Sequence, residues 1–166
     1  PEHTDSAIEA LFASGIRAIF GHGTVKPDPK EGEPHFSTIP HPREEIERLR
    51  KGTLHGDSEL VTLAMAILGP DYSTKEVTLK DFQLAKEFNL LSSAHIWGMP
   101  NRIVKEGYAL LLQEGLLNKK HNIVHGNYLK DDEIKLIVDS GASVTSTPVA
   151  ELQTHGVEPI VTKVSN

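Results

Sequence analysis

Phe82-Gln-Leu-Ala-Lys-Glu-Phe-Asn-Leu-Leu-Ser-Ser-Ala-His95 passes from one hydrophobic period to another within a single stretch. Phe82, Leu84, Ala85 and Phe88 supply the apolar positions of a helix, Asn89 suits the residue that ends one, and Leu90 to Ile96 then reads as a strand. Thr78 is the expected N-cap, with Asp81 at the third helical position. Helix, stop and strand form one unit, and the rest of the chain repeats it. Ala7, Ile8, Leu11 and Phe12 share a helical face, Gly15 closes it, and Ile16 to Phe20 follows as a strand. Ile103 to Leu112 makes a helix before Gly115, then Asn122 to Val124 a short strand. Asp131 or Asp132 caps a helix carrying Ile134, Leu136, Ile137 and Val138; Gly141 ends it, and Ala142 to Thr147 is a strand stopped by Pro148. Leu60 to Leu68, before Gly69-Pro70, adds one more strand. Strands separated by helices pair in parallel through right-handed crossovers, so the sequence predicts an α/β fold of about five units. The carboxyl ends of the strands then share one rim, where such folds bind ligands.

Composition agrees with one globular domain over residues 1–166, at 38% hydrophobic and 24% charged. Seventeen basic against twenty-three acidic residues, interspersed, leave a net charge of −6 and no footprint for nucleic acid. The apolar runs fall short of the roughly 20 residues of a membrane span, so no membrane partner is expected. The absence of cysteine removes disulfides, thiolate metal sites and cysteine nucleophiles, and inclines the reading to a cytoplasmic protein. Residues 24–41 hold four prolines without periodicity and read as an irregular surface excursion. Pro42 to Lys51 reads as a peripheral helix with proline in its first turn and acids near the positive end of its dipole. The chain opens at Pro1 and stops just past the apolar stretch Pro159 to Val164, which reads like a piece of a longer polypeptide.

Three histidines stand at strand ends: His22, His95 and His125. Alternation places Leu91, Ser93 and His95 on one face, and Ile123 with His125 on one face, so their rings are free to converge. Neutral imidazole suits a borderline cation such as zinc, and three protein ligands plus a water is the usual catalytic arrangement. Each histidine equally fits a hydrogen-bonded structural role, and Gly21-His22-Gly23 equally fits a tight turn. His3, His35, His41, His55, His121 and His155 fall in expected loops or termini and read as solvated. Glu44, Glu45 and Glu47, and Asp131, Asp132 and Glu133, begin helices, where the dipole accounts for them. Glu151 offers either a carboxylate on the rim or a surface charge. Trp97 and Tyr72 either line a pocket or pack against loops. The chain carries no HExxH, Walker A or GxSxG pattern.

Four stretches together resemble the amidohydrolase superfamily, in its cytosine deaminase and triazine hydrolase branch. They are Phe82 to His95, Asn122 to Glu133 (NIVHGNYLKDDE), Ser140 to Pro148 (SGASVTSTP) and Ser6 to Phe20 (SAIEALFASGIRAIF). The resemblance implies a partial TIM-like (β/α)8 metallohydrolase barrel, about its third to seventh strands, since a full barrel needs at least about 200 residues. It makes His95 a metal ligand and His125 a second ligand or the catalytic residue that positions water or substrate. It implies a divalent metal, zinc or iron, in the parent enzyme, which this chain by itself is expected to hold weakly or not at all. The family's His-x-His pair and its aspartate on the last strand have no counterpart, and Gly98 stands where family deaminases often carry a glutamate.

The resulting expectation is a metal-dependent amidohydrolase that hydrolyses a C–N or related bond of a small-molecule substrate, with Trp97, Glu151 and His22 as substrate-side candidates. The chain alone is expected to be inactive and, with Leu91, Ile123 and Val144 facing an uncovered side, to form homo-oligomers. The alternative is a non-catalytic α/β interaction module with structural histidines. A small doubly wound binding domain ranks behind both, because no phosphate loop is present.

Overall fold

The computed structural model describes residues 2–24, 29–154 and 156–164. Five parallel strands, β1 (Ala18–His22), β2 (Val61–Ala66), β3 (Leu91–Ile96), β4 (His121–His125) and β5 (Ser143–Thr145), form one sheet in the order in which they occur. Helices α1 (Glu2–Ser14), α2 (Arg43–Lys51), α4 (Lys75–Glu87), α5 (Gly107–Gln113) and α6 (Asp131–Asp139) connect or flank them. Short helices α3 (Gly69–Tyr72), α7 (Pro148–Gln153) and α8 (Val161–Val164) occupy loops. This is the architecture of a partial TIM-like barrel. Among the described residues, no helix is long and apolar enough to cross a membrane.

The register divides the sheet into unlike faces. Val61, Leu63, Met65, Ala94, Ile96 and Ile123 pack into the core beneath the helices, each at most 4% exposed. The other face carries Ile19, Ala66, Ser93, His95, Asn122 and Thr145. Ile19 is 64% exposed there, so among the described residues no layer covers it. Asn122 stitches it, donating from Nδ2 to Ser93 Oγ at 3.0 Å and accepting from Thr145 Oγ1 at 2.9 Å.

Several local expectations shift. Helix α4 begins one turn early, because Thr74 caps it by accepting from the Val77 N–H; Thr78 lies buried inside, with its hydroxyl 2.8 Å from Ser73 Oγ. Strand β1 starts at Ala18, since Ile16 and Arg17 are spent leaving Gly15, whose φ of 69° ends α1. Residues 103–104 do not begin α5; their amides donate to the carbonyls of Asp71 and Pro70. Pro42 is the residue before α2 rather than part of its first turn. Ile123 turns toward the helices and is 1% exposed, and Val144 packs against the same core, so neither faces the uncovered side. In the 24–41 stretch, the described residues contain one helical turn, Phe36–Thr38.

Candidate active site

His95 stands near the end of β3 on the uncovered face, and His125 ends β4. Simple alternation sets His125 opposite Ile96, on the helix side, whereas His95 pairs with Val124. The backbone resolves the mismatch. His125 has φ of 74°, a left-handed conformation that is strained for any residue with a side chain, and its ring meets that of His95. His125 Nε2 lies 3.2 Å from His95 Nδ1, with the rings inclined at 65°.

The other ring nitrogen, His125 Nδ1, lies 3.2 Å from Glu151 Oε1 and 3.0 Å from Thr147 Oγ1. Glu151 is fully buried rather than the surface charge or substrate contact expected of it. Burial alone would raise its carboxyl, but amide N–H groups of Thr147 and Ile160, the His125 ring and the Ser146 hydroxyl outweigh that and hold it down at about 2. Trp97 stacks on His125 with centroids 4.7 Å apart and planes at 17°. Trp97 is itself pinned, because its amide and that of Gly98 both donate to Asp71 Oδ2 at 2.9 Å. Gly98 has φ of 74°, and a Cβ there would sit 2.6 Å from the Leu129 amide nitrogen. Crowding and backbone together exclude the glutamate that the resemblance expects at that position.

His22 goes elsewhere. It faces the helix side with Met65, and its Nδ1 lies 2.9 Å from Nε2 of His41. His41, expected to be solvated, is 5% exposed, and its amide donates to buried Asp81. Burial lowers both rings, His41 to about 4, and raises Asp81 to about 6. His121 is likewise buried, against Ser92 and Phe82, and lowered to about 3 by burial. His3, His35 and His55 are exposed, and His155 lies outside the described residues.

The His95–His125 pair has the spacing of two ligands on one ion. Two nitrogens on a tetrahedral zinc at the usual bond length are about 3.3 Å apart. The carboxylate behind His125 is the customary partner of a metal-bound imidazole. Among the described residues, no three histidine, aspartate or glutamate side chains gather into a complete metal site. Asp71, Thr147 and the burial of Glu151 escaped the sequence reading; an acid in the first turn of α7 looks the same whether it serves the helix dipole or a ring nitrogen.

No family model matches the chain. A 5-methylthioadenosine/S-adenosylhomocysteine deaminase of Pyrococcus abyssi is 26% identical over 99% of this chain and 39% of its own length. The protein of that name from Thermococcus kodakarensis is 27% identical, over 95% of the chain and 38% of its own length. Among solved structures, a mutant atrazine chlorohydrolase of Arthrobacter aurescens, complexed with zinc and atraton, superposes with a TM-score of 0.76 at 16% identity. That match covers 99% of this chain and 39% of that one. A zinc-bound adenosine deaminase of Xanthomonas campestris gives 0.70 at 20% identity, over 98% of this chain and 37% of that one. The chain thus spans about two fifths of the length of the relatives it matches. It is similar in sequence along nearly its whole length to these deaminases and similar in fold to these hydrolases, a likeness in keeping with the amidohydrolase resemblance.

Proposed function

We propose that the chain forms part of the catalytic centre of a metal-dependent amidohydrolase that cleaves a C–N or related bond in a small molecule. The observation that carries this reading is the His95–His125–Glu151 series on the sheet rim. His95 and Nε2 of His125 would hold the ion. Bound there, a divalent ion such as zinc supplies hydroxide near neutral pH by lowering the pKa of water to about 7. His125 would also orient the attacking water or the substrate, Trp97 stacks on its ring, and Asp71 holds Trp97 in place. Beside them, Phe36, Asp71, Tyr72, Trp97 and Arg102 help line a cavity of about 310 Å³, the low end of small-ligand pockets. Its position supports Trp97 as a substrate contact. His22 is spent on His41, and Glu151 is enclosed, so neither has that role.

Two imidazoles do not complete a tetrahedral site, so this chain alone is expected to hold metal weakly and to turn over nothing. Its uncovered face supports self-association, which sedimentation tests directly; a compact monomer at high concentration argues against it.

Cobalt(II) titration tests the metal reading. Trp97 is the sole tryptophan and lies on His125, so its fluorescence reports an ion there. Quenching is expected to vanish in His95→Ala and in His125→Ala and to persist in His22→Ala. Equal quenching in all three variants overturns the assignment; tight zinc binding with turnover by this chain as a monomer overturns the expectation that it is inactive alone.

A further inference from the structure

We infer that Glu151 is the positioning residue of this centre: its carboxylate keeps the proton of His125 on Nδ1 and so turns the Nε2 lone pair toward His95. The inference rests on the reading above but concerns a different residue and a different atom.

The carboxylate meets donors alone. Oε1 accepts from the Thr147 amide at 2.8 Å, and Oε2 accepts from the Ile160 amide and the Ser146 hydroxyl, each at 3.0 Å. A fully buried charge is tolerated only when its oxygens are supplied with protons in this way. Only an N–H is therefore compatible at the His125 nitrogen 3.2 Å from Oε1. The Thr147 hydroxyl agrees. It lies 3.4 Å from Oε1, where it donates, and 3.0 Å from His125 Nδ1, where its oxygen accepts. In the neutral ring, two acceptors on Nδ1 put the lone pair on Nε2, and that is the atom 3.2 Å from His95. The same side chain ties the start of α7 to the segment before α8 through Thr147 and Ile160. A purely structural brace needs those amide bonds but has no stake in which nitrogen of His125 carries hydrogen.

The test reads that hydrogen directly. Two-bond proton–nitrogen correlation spectra of the metal-free, ¹⁵N-histidine-labelled chain near pH 7.5, with His125 identified by its absence in His125→Gln, are expected to show the Nδ1–H form. An Nε2–H form for His125 overturns the inference without any variant being made. Glu151→Gln puts an amide NH2 among these donors. If it folds, the tautomer preference is expected to weaken and cobalt affinity to fall by about tenfold to a hundredfold. An unchanged tautomer and unchanged affinity in that variant also overturn the inference. The tautomer is read without metal, so failure of cobalt to bind the parent chain counts against the metal reading and leaves this result standing.

Discussion

Two histidine pairs meet ring to ring at strand ends, and they do different work. His22 and His41 lie 2.9 Å apart on the helix side of the sheet, both enclosed, with the buried Asp81 carboxyl accepting the His41 amide. His95 and His125 lie 3.2 Å apart across the rim, with a charged carboxylate on the far nitrogen of one ring and an indole on its face. The first pair joins the 24–41 stretch to the sheet and holds its rings neutral by desolvation. The second leaves one ring exposed and orients the other. The presence of two imidazoles is common to both pairs. What sets the rim pair apart is an oriented carboxylate and a side open to a ligand.

The comparison breaks most completely in Glu151→Ala. The Thr147 and Ile160 amides and the His125 ring would lose their acceptor together, at about 1–3 kcal/mol for each buried group left unpaired. A loss of about 4 kcal/mol is expected in urea unfolding, and a loss under 1 kcal/mol would remove Glu151 from the centre of the network. Acid tests the inner pair next. The folded chain holds His41 and His121 at about 4 and 3, against 6.5 when unfolded, so the unfolded chain binds more protons below pH 6.5 and stability falls as pH drops. Asp81, raised to about 6, opposes this by taking up a proton in the folded state first. The net loss between pH 7.5 and 4.5 is expected to be about 3 kcal/mol. A flat profile over that range contradicts the buried neutral rings.

His41→Ala is expected to cost about 2 kcal/mol, through a cavity and a His22 nitrogen left without its partner, and to flatten part of the acid loss. His95→Ala sharpens the contrast at the small end. Its ring is exposed, so unfolding is expected to shift by no more than about 0.5 kcal/mol, although the variant abolishes cobalt quenching of Trp97. A large destabilisation would add His95 to the structural histidines.

Much of the fold was legible because its signal is periodic. The alternation of helix faces with short apolar runs located all five strands, to within a few residues, and Gly15, Asn89, Gly115 and Gly141 marked the places where helices end. The site was legible only as a set of residue types. Alternation left the rings of His95 and His125 free to converge but set Ile123 on the uncovered side with His125; Ile123 lies in the core, and the left-handed φ that still brings His125 to His95 leaves no mark in the sequence beyond an adjacent glycine. His41 and His121 gave no warning of burial, one following an irregular stretch and the other opening a strand. Gly98 looked like a missing catalytic acid, whereas the Leu129 backbone leaves no room for any side chain there.

Strands that neighbour one another in space also follow one another in sequence, and this orders the assembly of the sheet in time. The register joins Asn122 to Ser143, 21 residues on, but Ala18 to Val61, 43 residues on, across the proline-rich stretch. Loop closure favours the shorter crossover, so the β4–β5 end is expected to gather faster in a released chain. On a ribosome the order of emergence runs the other way, with β1 and β2 emerging before β4 and β5. The half of the molecule that carries the paired rim histidines thus emerges after β1 and β2 and closes sooner than they do.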